Sequence, residues 1–413
     1  MAELLIDLAS IPLDTATVPQ DTLDILTKTR SNPLPWKGQF SPQLVHALLE
    51  AYRTESDQTI LDPFAGSGTV LVEAARLGLG AIAAEVNPAP HLLSRIYQYC
   101  TASDLDRATL LADVEAAIGF ALELKVGLFG GAGRDEDELV EPVLGTRRRV
   151  TSRVLDLVDA TLVLSGMGSP GFSRERLFSA WTQVKALVRN LPSTRAPICA
   201  VMADARSLPV KDGTADLVLT SPPYINVFNY HQQYRQTVEL LGWDVLAAAQ
   251  SEIGSNRKHR ANRFLTVVQY ALDMADVLGE LCRAAKPDAR MIVVIGRESS
   301  VRGAPVPNGE LLLNLATAAN GLDLLARQER KFLNRFGQVI FEDLLHFRAT
   351  PHVPNRERAV DVAVAALRRL RGPSLSSEVG DAIDQAIDQS STVLPSPLLV
   401  PPNVHHLRAS VAK

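Results

Sequence analysis

From about Trp36 onward, short apolar runs alternate with amphipathic stretches, the pattern of strands interleaved with helices. Residues 58–62 (QTILD) read as a buried strand, followed by a glycine-rich turn, a helix from about Thr69 to Leu77, and a second apolar run, AIAAEV, ending at Val86. PICAVMAD (197–204), ADLVLT (215–220) and ARMIVVIG (289–296) read as further buried strands, the last preceded by helical periodicity from Phe264 to Ala285. Near-continuous apolar strands separated by helices predict a doubly wound α/β sheet, mostly parallel. LDLLARQERKF and QVIFEDLLHF, separated by a turn around Asn334 to Gly337, predict an antiparallel hairpin that completes it.

The pattern changes over residues 106–194 to long Ala/Leu/Val-rich helical segments broken by a Gly-rich stretch, LFGGAGRDEDELVEP, and no repeat is visible. We read this as a helical insertion for target recognition or partner contact, flanked by the two parts of one domain, 30–105 and 195–350. Residues 351–413 are helical at first, then Pro-containing, and read as a loosely attached tail. With 413 residues, 46% hydrophobic and 21% charged, the chain is ordinary globular material. It has no basic leader and no long uninterrupted apolar run, which predicts a cytoplasmic protein with no membrane partner. Cys100, Cys199 and Cys282 are far apart and the eight histidines scattered, so no metal is expected. A formal charge of -4 means that any nucleic-acid contact rests on local basic clusters.

Three constellations carry chemistry. The first is Asp62-Pro63-Phe64-Ala65-Gly66-Ser67-Gly68-Thr69, between a strand and a helix. Its glycines permit φ > 0 and close approach of a ligand to backbone N–H groups, as in a nucleotide-like cofactor site. Lacking a third glycine and a phosphate-loop lysine, it favours neither a dinucleotide nor ATP, and alone it also reads as a tight structural turn. The second is Glu85, 17 residues after Gly68, at a strand end where a carboxylate accepts from ribose hydroxyls. Asp204, at the end of VMAD, has the same address and is expected to receive the amine of an adenine ring. The third is Thr220-Ser221-Pro222-Pro223-Tyr224, at a strand exit. Consecutive prolines fix φ and remove two donors, leaving carbonyl acceptors suited to an amino group, while Tyr224 offers a face for a planar ring.

The pairing of D-P-F-A-G-S-G-T with T-S-P-P-Y resembles the S-adenosylmethionine-dependent DNA amino-methyltransferases of the cytosine-N4 and adenine-N6 family. The resemblance covers roughly residues 30–105 and 195–350, and Trp36-Lys37-Gly38-Gln39-Phe40-Ser41-Pro42 is similar to the family's N-terminal cofactor motif. It implies a Rossmann-like methyltransferase sheet, with the cofactor held by Trp36, Phe40, Ser41, Asp62 to Thr69, Glu85, Asn87, Asp204 and Ala205. Ser221, Pro222, Pro223 and Tyr224 are then the catalytic loop. A serine before Pro-Pro-Tyr is typical of cytosine-N4 enzymes, although the motif order here departs from their common permuted order. A base in a duplex would have to be flipped out, with Tyr224 as the leading stacking surface. Asn256 to Arg263 carries four basic residues and no acid, so Arg257, Lys258, Arg260 and Arg263, with Asn226 and Tyr230, are the expected DNA contacts. The reading is therefore site-specific DNA methylation in a restriction-modification setting, with a cognate restriction or defence protein as a conceivable partner. Its alternatives are an adenine-N6 enzyme, an RNA exocyclic-amine methyltransferase, and a catalytically silent DNA-binding subunit.

Overall fold

A computed structural model describes residues 5–53, 55, 57–122, 137–225, 229–255, 259–334, 337–372 and 375–399, and the side chains of 139 onward within the second of the helical segments. Strands β1 (Thr59–Asp62), β2 (Gly80–Glu85), β3 (Ile198–Met202), β4 (Ala215–Thr220) and β5 (Ala285–Gly296) fall where the apolar runs predict them. A small hairpin, β6 (Ser299–Val301) and β7 (Ala304–Val306), follows, and β8 (Asp323–Leu333) and β9 (Val339–Arg348) form the long one. The sheet order is β3-β2-β1-β4-β5-β9-β8. β1 to β5 are mutually parallel where they pair, and β9 runs antiparallel to both β5 and β8.

That order reverses between β1 and β4. From β1 the chain winds outward through β2 and β3, then returns to place β4 on the other side of β1. The crevice at such a switch point is where doubly wound sheets bind ligands. Asp62, Glu85 and Thr220 end their strands on that edge.

Alternate strand residues enter different cores, as the two-residue period of a strand requires. Ile60, Ala83, Leu217, Leu219 and Val294 pack with helices Pro42–Tyr52, Thr69–Arg76, Asp104–Leu122, Ser152–Ser165 and Arg174–Arg189. Leu61, Ala84, Val218, Val293 and Phe347 pack with Leu265–Ala284, Asn308–Asn314, Arg356–Leu370 and Ser377–Asp388 on the other face. The helical segments of 106–194 thus share one core with the sheet. Buried Arg107 closes their base: its guanidinium donates to the carbonyls of Tyr99, Cys100, Leu191 and Pro192, joining the segment where it leaves the sheet layer to the segment where it returns.

The structure departs from the sequence pattern in two places. β5 begins at Ala285, ahead of the apolar run, because the polar Lys286-Pro287-Asp288 forms an irregularity with Asp288 at φ 64° and the pairing with β4 shifts register there. The tail is not loose as far as Leu399. Helix Ser377–Asp388 buries Ile383 and Ala386, and residues 394–399 are sewn to the domain by a buried polar network described below.

Candidate functional site

A cleft opens at the switch point, lined by residues from the glycine turn, the ends of β2 and β3, and the loop after β4. Its cofactor-side wall is the glycine turn. Gly66 and Gly68 have φ of 50° and 90°, which side-chain-bearing residues adopt only under strain. Gly66 lines the cleft under Trp36, whose Cδ1 lies 3.1 Å from where a Cβ would stand. Gly68 does not line it; a Cβ there would meet Tyr97 Cδ2 at 2.8 Å, so this glycine serves packing of the turn on the buried Tyr97.

Glu85 closes the turn from the neighbouring strand. Its carboxylate accepts from the Gly66 N–H at 2.9 Å and from the Asn87 N–H at 2.8 Å. Burial pushes its pKa up to about 8 despite those donors. Asp62 is buried behind the lining, accepting from Phe64 N–H at 3.1 Å and from Thr220 Oγ1 at 2.7 Å, and burial raises it to about 7. The Thr220 bond joins the ends of β1 and β4, and so ties the glycine turn to the loop that begins at Ser221.

Asp204 and Ala205 line the far end of the cleft. The Asp204 carboxylate is already engaged by Arg206 through its backbone N–H (3.0 Å), Nε (2.9 Å) and Nη2 (2.7 Å), and by the Leu399 N–H (3.3 Å). Four donors saturate a carboxylate, so it offers an adenine amine no vacant acceptor position while these bonds hold. Arg206 also donates to Asp273 and to the Ser396 and Pro397 carbonyls, and Ser396 donates to Asp273 through N and Oγ. This buried network is the attachment of the tail, and nothing in the composition of a Pro-containing terminus announces it.

Ser221, Pro223 and Tyr230 line the opposite wall, with Ser251, Glu252 and Ile253. Tyr224 is not among the lining residues. Its hydroxyl donates to Glu342 Oε1 at 2.9 Å and its ring covers Gly296, where a Cβ would come within 2.6 Å. The stacking expected of Tyr224 is therefore not what its placement offers; the ring wedges the loop against the ends of β5 and β9. Glu252 is a cleft residue that the sequence reading passed over. It is 4% exposed, and His231 Nδ1 lies 2.8 Å from its Oε2. Without a motif around it, only the fold could reveal it.

Of the remaining expected residues, Phe40, Pro63, Phe64, Ala65, Ser67, Thr69 and Asn87 line the cleft, while Ser41 precedes the helix Pro42–Tyr52 outside the lining and Pro222 is buried outside it. Arg260 and Arg263 are exposed. Asn226, Arg257 and Lys258 lie outside the described residues. Arg147, in the helical segments of 106–194, is committed to Asp159 by a two-pronged contact at 2.6 and 2.9 Å. Among the described residues no group of three His, Cys, Asp or Glu side chains is arranged to hold a metal ion, and no helix is long and apolar enough to cross a membrane.

Residues 33–114, which carry Trp36, the glycine turn and Glu85, match the family model described as UPF0020, RMKL-like, methyltransferase domain. The chain is 24% identical over 271 residues to the Type II methyltransferase M.BsoBI of Geobacillus stearothermophilus, covering 52% of this chain and 53% of that one. It is 39% identical over 62 residues to the Type II methyltransferase M.MjaII of Methanocaldococcus jannaschii, covering 15% and 12% respectively. The chain thus spans about half the length of the first relative and a smaller part of the second. An rRNA methyltransferase structure, AviRa from Streptomyces viridochromogenes, aligns over 85% of this chain and 96% of its own at 15% identity with a TM-score of 0.30. Residues 33–114 are thus similar to a methyltransferase domain and contribute β1 and β2 to a mostly parallel doubly wound sheet, and the cofactor this likeness implies is S-adenosylmethionine. The wall fits that ligand: Gly66 admits close approach, the Glu85 carboxylate lines the cleft, and Trp36 and Phe40 offer aromatic faces to a cationic group.

Proposed function

We propose that the chain is a DNA methyltransferase that methylates the exocyclic amine of an extruded base, cytosine N4 foremost. The observation that carries this reading is the position of the Ser221–Tyr224 loop at the exit of β4, with Ser221 and Pro223 in one cleft with the glycine turn and the loop joined to that turn by the Thr220–Asp62 hydrogen bond. The similarity to two Type II methyltransferases supports DNA as the substrate.

An aromatic amine is a poor nucleophile because its lone pair is delocalised into the ring. Acceptors that hold its two hydrogens favour a pyramidal nitrogen and return the lone pair to it. Ser221 Oγ, in the cleft lining, is such an acceptor, and neither of the two prolines after it has an N–H to compete. Bound S-adenosylmethionine supplies an electrophilic methyl group. The loop's contribution is orientation, rigid because Tyr224 is pinned by Glu342 and Gly296. The methylated amine is acidic enough to lose its extra proton without a strong base, so no buried general base is required.

The decisive experiment is incubation with isotopically labelled S-adenosylmethionine and unmethylated genomic DNA, in parallel with total RNA, followed by nucleoside mass spectrometry. Labelled N4-methylcytosine is the expected product. N6-methyladenine would keep the mechanism and correct the base, label in RNA alone would correct the substrate, and cofactor binding without label would favour a silent subunit. Ser221→Ala is expected to lower transfer by about a hundredfold or more, as loss of an oriented transition-state partner does, while sparing cofactor binding.

A further inference from the structure

The two faces of the long hairpin are unequal. β9 leaves its pairing with β5 at Gly296–Glu342, but β8 and β9 stay paired through Lys331–Phe341 and Phe332–Ile340 to Leu333–Val339. Side chains alternate along a strand, so Lys331, Leu333, Val339 and Phe341 share one face of this extension, and Arg330, Phe332, Ile340 and Glu342 the other. The second face is half-buried: the Arg330 guanidinium lies over the Phe332 ring, 4.7 Å from its centroid, and its Nε is 2.8 Å from Glu342 Oε2. The first face is open. Leu333 is 68% exposed, Val339 52% and Phe341 38%, the last with the Arg297 guanidinium over its ring. β8 is an edge strand of the sheet, where a bare apolar face is a liability unless something binds it.

Three observations select the occupant. The first is position. β4, which delivers Ser221, pairs with β5 through Thr220–Val293; β5 runs three residues further to Gly296 and the hairpin three pairs beyond that, so its paired end stands about 20 Å past the end of β4 at roughly 3.3 Å per residue. The sheet order puts it on the β4 side of the switch point, away from Glu85 on β2. The second is a direct tie, since Tyr224 of the Ser221 loop donates to Glu342 at the hairpin's base. The third is charge. Residues 330–341 hold three basic residues and no acid, in a chain of formal charge -4. Lys331, exposed on the apolar face, makes no ion pair among the described residues.

A polyanion with apolar surface between its charges, one residue of which must reach Ser221, meets all three conditions. Apolar side chains flanked by cationic ones are how protein wedges enter a groove or a base step. A protein partner would account for the apolar face, but not for the missing acids or for the place beside the acceptor loop. We propose that the open face of the β8–β9 hairpin docks duplex DNA next to the base to be methylated, with Lys331 on a phosphate and Leu333, Val339 and Phe341 in a groove. This rests on the amino-methyltransferase reading for the kind of substrate.

The test uses the full chain with S-adenosylhomocysteine and a fluorescein-labelled mixed-sequence DNA duplex, its affinity read by anisotropy over a series of salt concentrations. Leu333→Ser combined with Val339→Ser is expected to weaken binding about tenfold at every salt concentration, as partial burial of two aliphatic side chains gives, while the urea midpoint and S-adenosylhomocysteine affinity stay as in wild type. Leu333→Met, which keeps the apolar area, should bind as wild type does. Lys331→Ala should instead lower the slope of log affinity against log salt by about 1. A double variant that folds and binds the duplex like wild type would overturn the proposal. So would a defect confined to an RNA duplex, or the loss of a dimer in sedimentation with DNA affinity unmoved. A double variant that loses duplex affinity, from a wild type that transfers no methyl, would sustain the docking face and sink the methyltransferase reading. Methyl transfer to DNA with an unaltered KM in the double variant would overturn the docking face alone.

Discussion

The two walls of the cleft are built by different means. The cofactor wall is nearly continuous, residues 62–87, and is held by backbone N–H groups of Phe64, Gly66 and Asn87 donating to carboxylates at the strand ends. The acceptor wall is assembled from the loop after β4 and the 251–253 turn, joined by side chains whose partners lie far away in the chain: Tyr224 to Glu342, and Gln233 to Lys37. A wall specified by backbone conformation is broken by changing a glycine. One specified by side chains is broken by truncating them and leaves the fold standing.

Beside Asp204 a long-range tie joins the tail to the domain through Arg206 and Asp273, and cutting it gives the largest expected effect. Truncation after Val393 removes the acceptors that Ser396 and Pro397 offer Arg206, and the donors that Ser396 offers Asp273, all within a buried network. Hydrogen bonds to charged groups are worth about 1.5–3 kcal/mol each, so stability should fall by roughly 3 kcal/mol or more, read as a lower urea midpoint. An unchanged midpoint would mean that the tail merely rests on the surface.

The comparison is sharpened by two glycines of similar backbone conformation. Gly68→Ala, at φ 90° with Tyr97 Cδ2 at 2.8 Å and Ser94 Cβ at 3.0 Å from the new methyl, should cost about 1–3 kcal/mol in backbone strain alone and abolish S-adenosylhomocysteine binding by displacing the turn. Gly78→Ala, at φ 72° with nothing within 4 Å, should show only strain and bind normally. Equal behaviour of the two would refute the packing role assigned to Gly68.

The same contrast explains what was legible in the sequence. Each parallel strand was visible because buried parallel strands are written as continuous apolar runs, and the glycine turn and Glu85 because their spacing along the chain is their geometry. The acceptor wall was only half visible. Ser221 to Tyr224 carried a motif, but Gln233 and Glu252 have no local signature, and the ring of Tyr224 was expected to face the base because nothing near it in sequence mentions Gly296 or Glu342. Arg206 and Ser396 were invisible for the same reason: a buried ion network is a statement about partners 190 residues apart. β6 and β7 hid likewise because each is only three residues long, on either side of Arg302-Gly303, both at positive φ.

Electrostatics divides the walls as well. Glu85 and Asp62 are raised by burial to about 8 and about 7 from ordinary values of 4.5 and 3.8. Because the folded protein binds these protons more tightly than the unfolded chain, their stabilisation is complete below about pH 4 and is lost as pH rises through 7 to 8. Urea midpoints of the ligand-free protein should therefore decline across pH 5–8, and Glu85→Gln should flatten the upper part of that decline. Hydroxyl donors prefer the ionised carboxylate, so S-adenosylhomocysteine binding at pH 7 should release a proton to buffer, seen as a dependence of the calorimetric enthalpy on buffer ionisation heat. Glu85→Gln should remove that dependence. Proton uptake on binding would reverse the role given to Glu85.

The smallest effect belongs to charge outside either wall. Arg260 and Arg263 are exposed and make no ion pair among the described residues, and a guanidinium left to solvent contributes little to the fold. Against DNA each is expected to neutralise one phosphate. Arg260→Ala or Arg263→Ala should then weaken binding evenly across sequences and lower the slope of log affinity against log salt by about 1 each. If the arginine variants changed the methylated sequence rather than the salt slope, these residues would be reading base edges, and the acceptor wall would extend beyond the cleft.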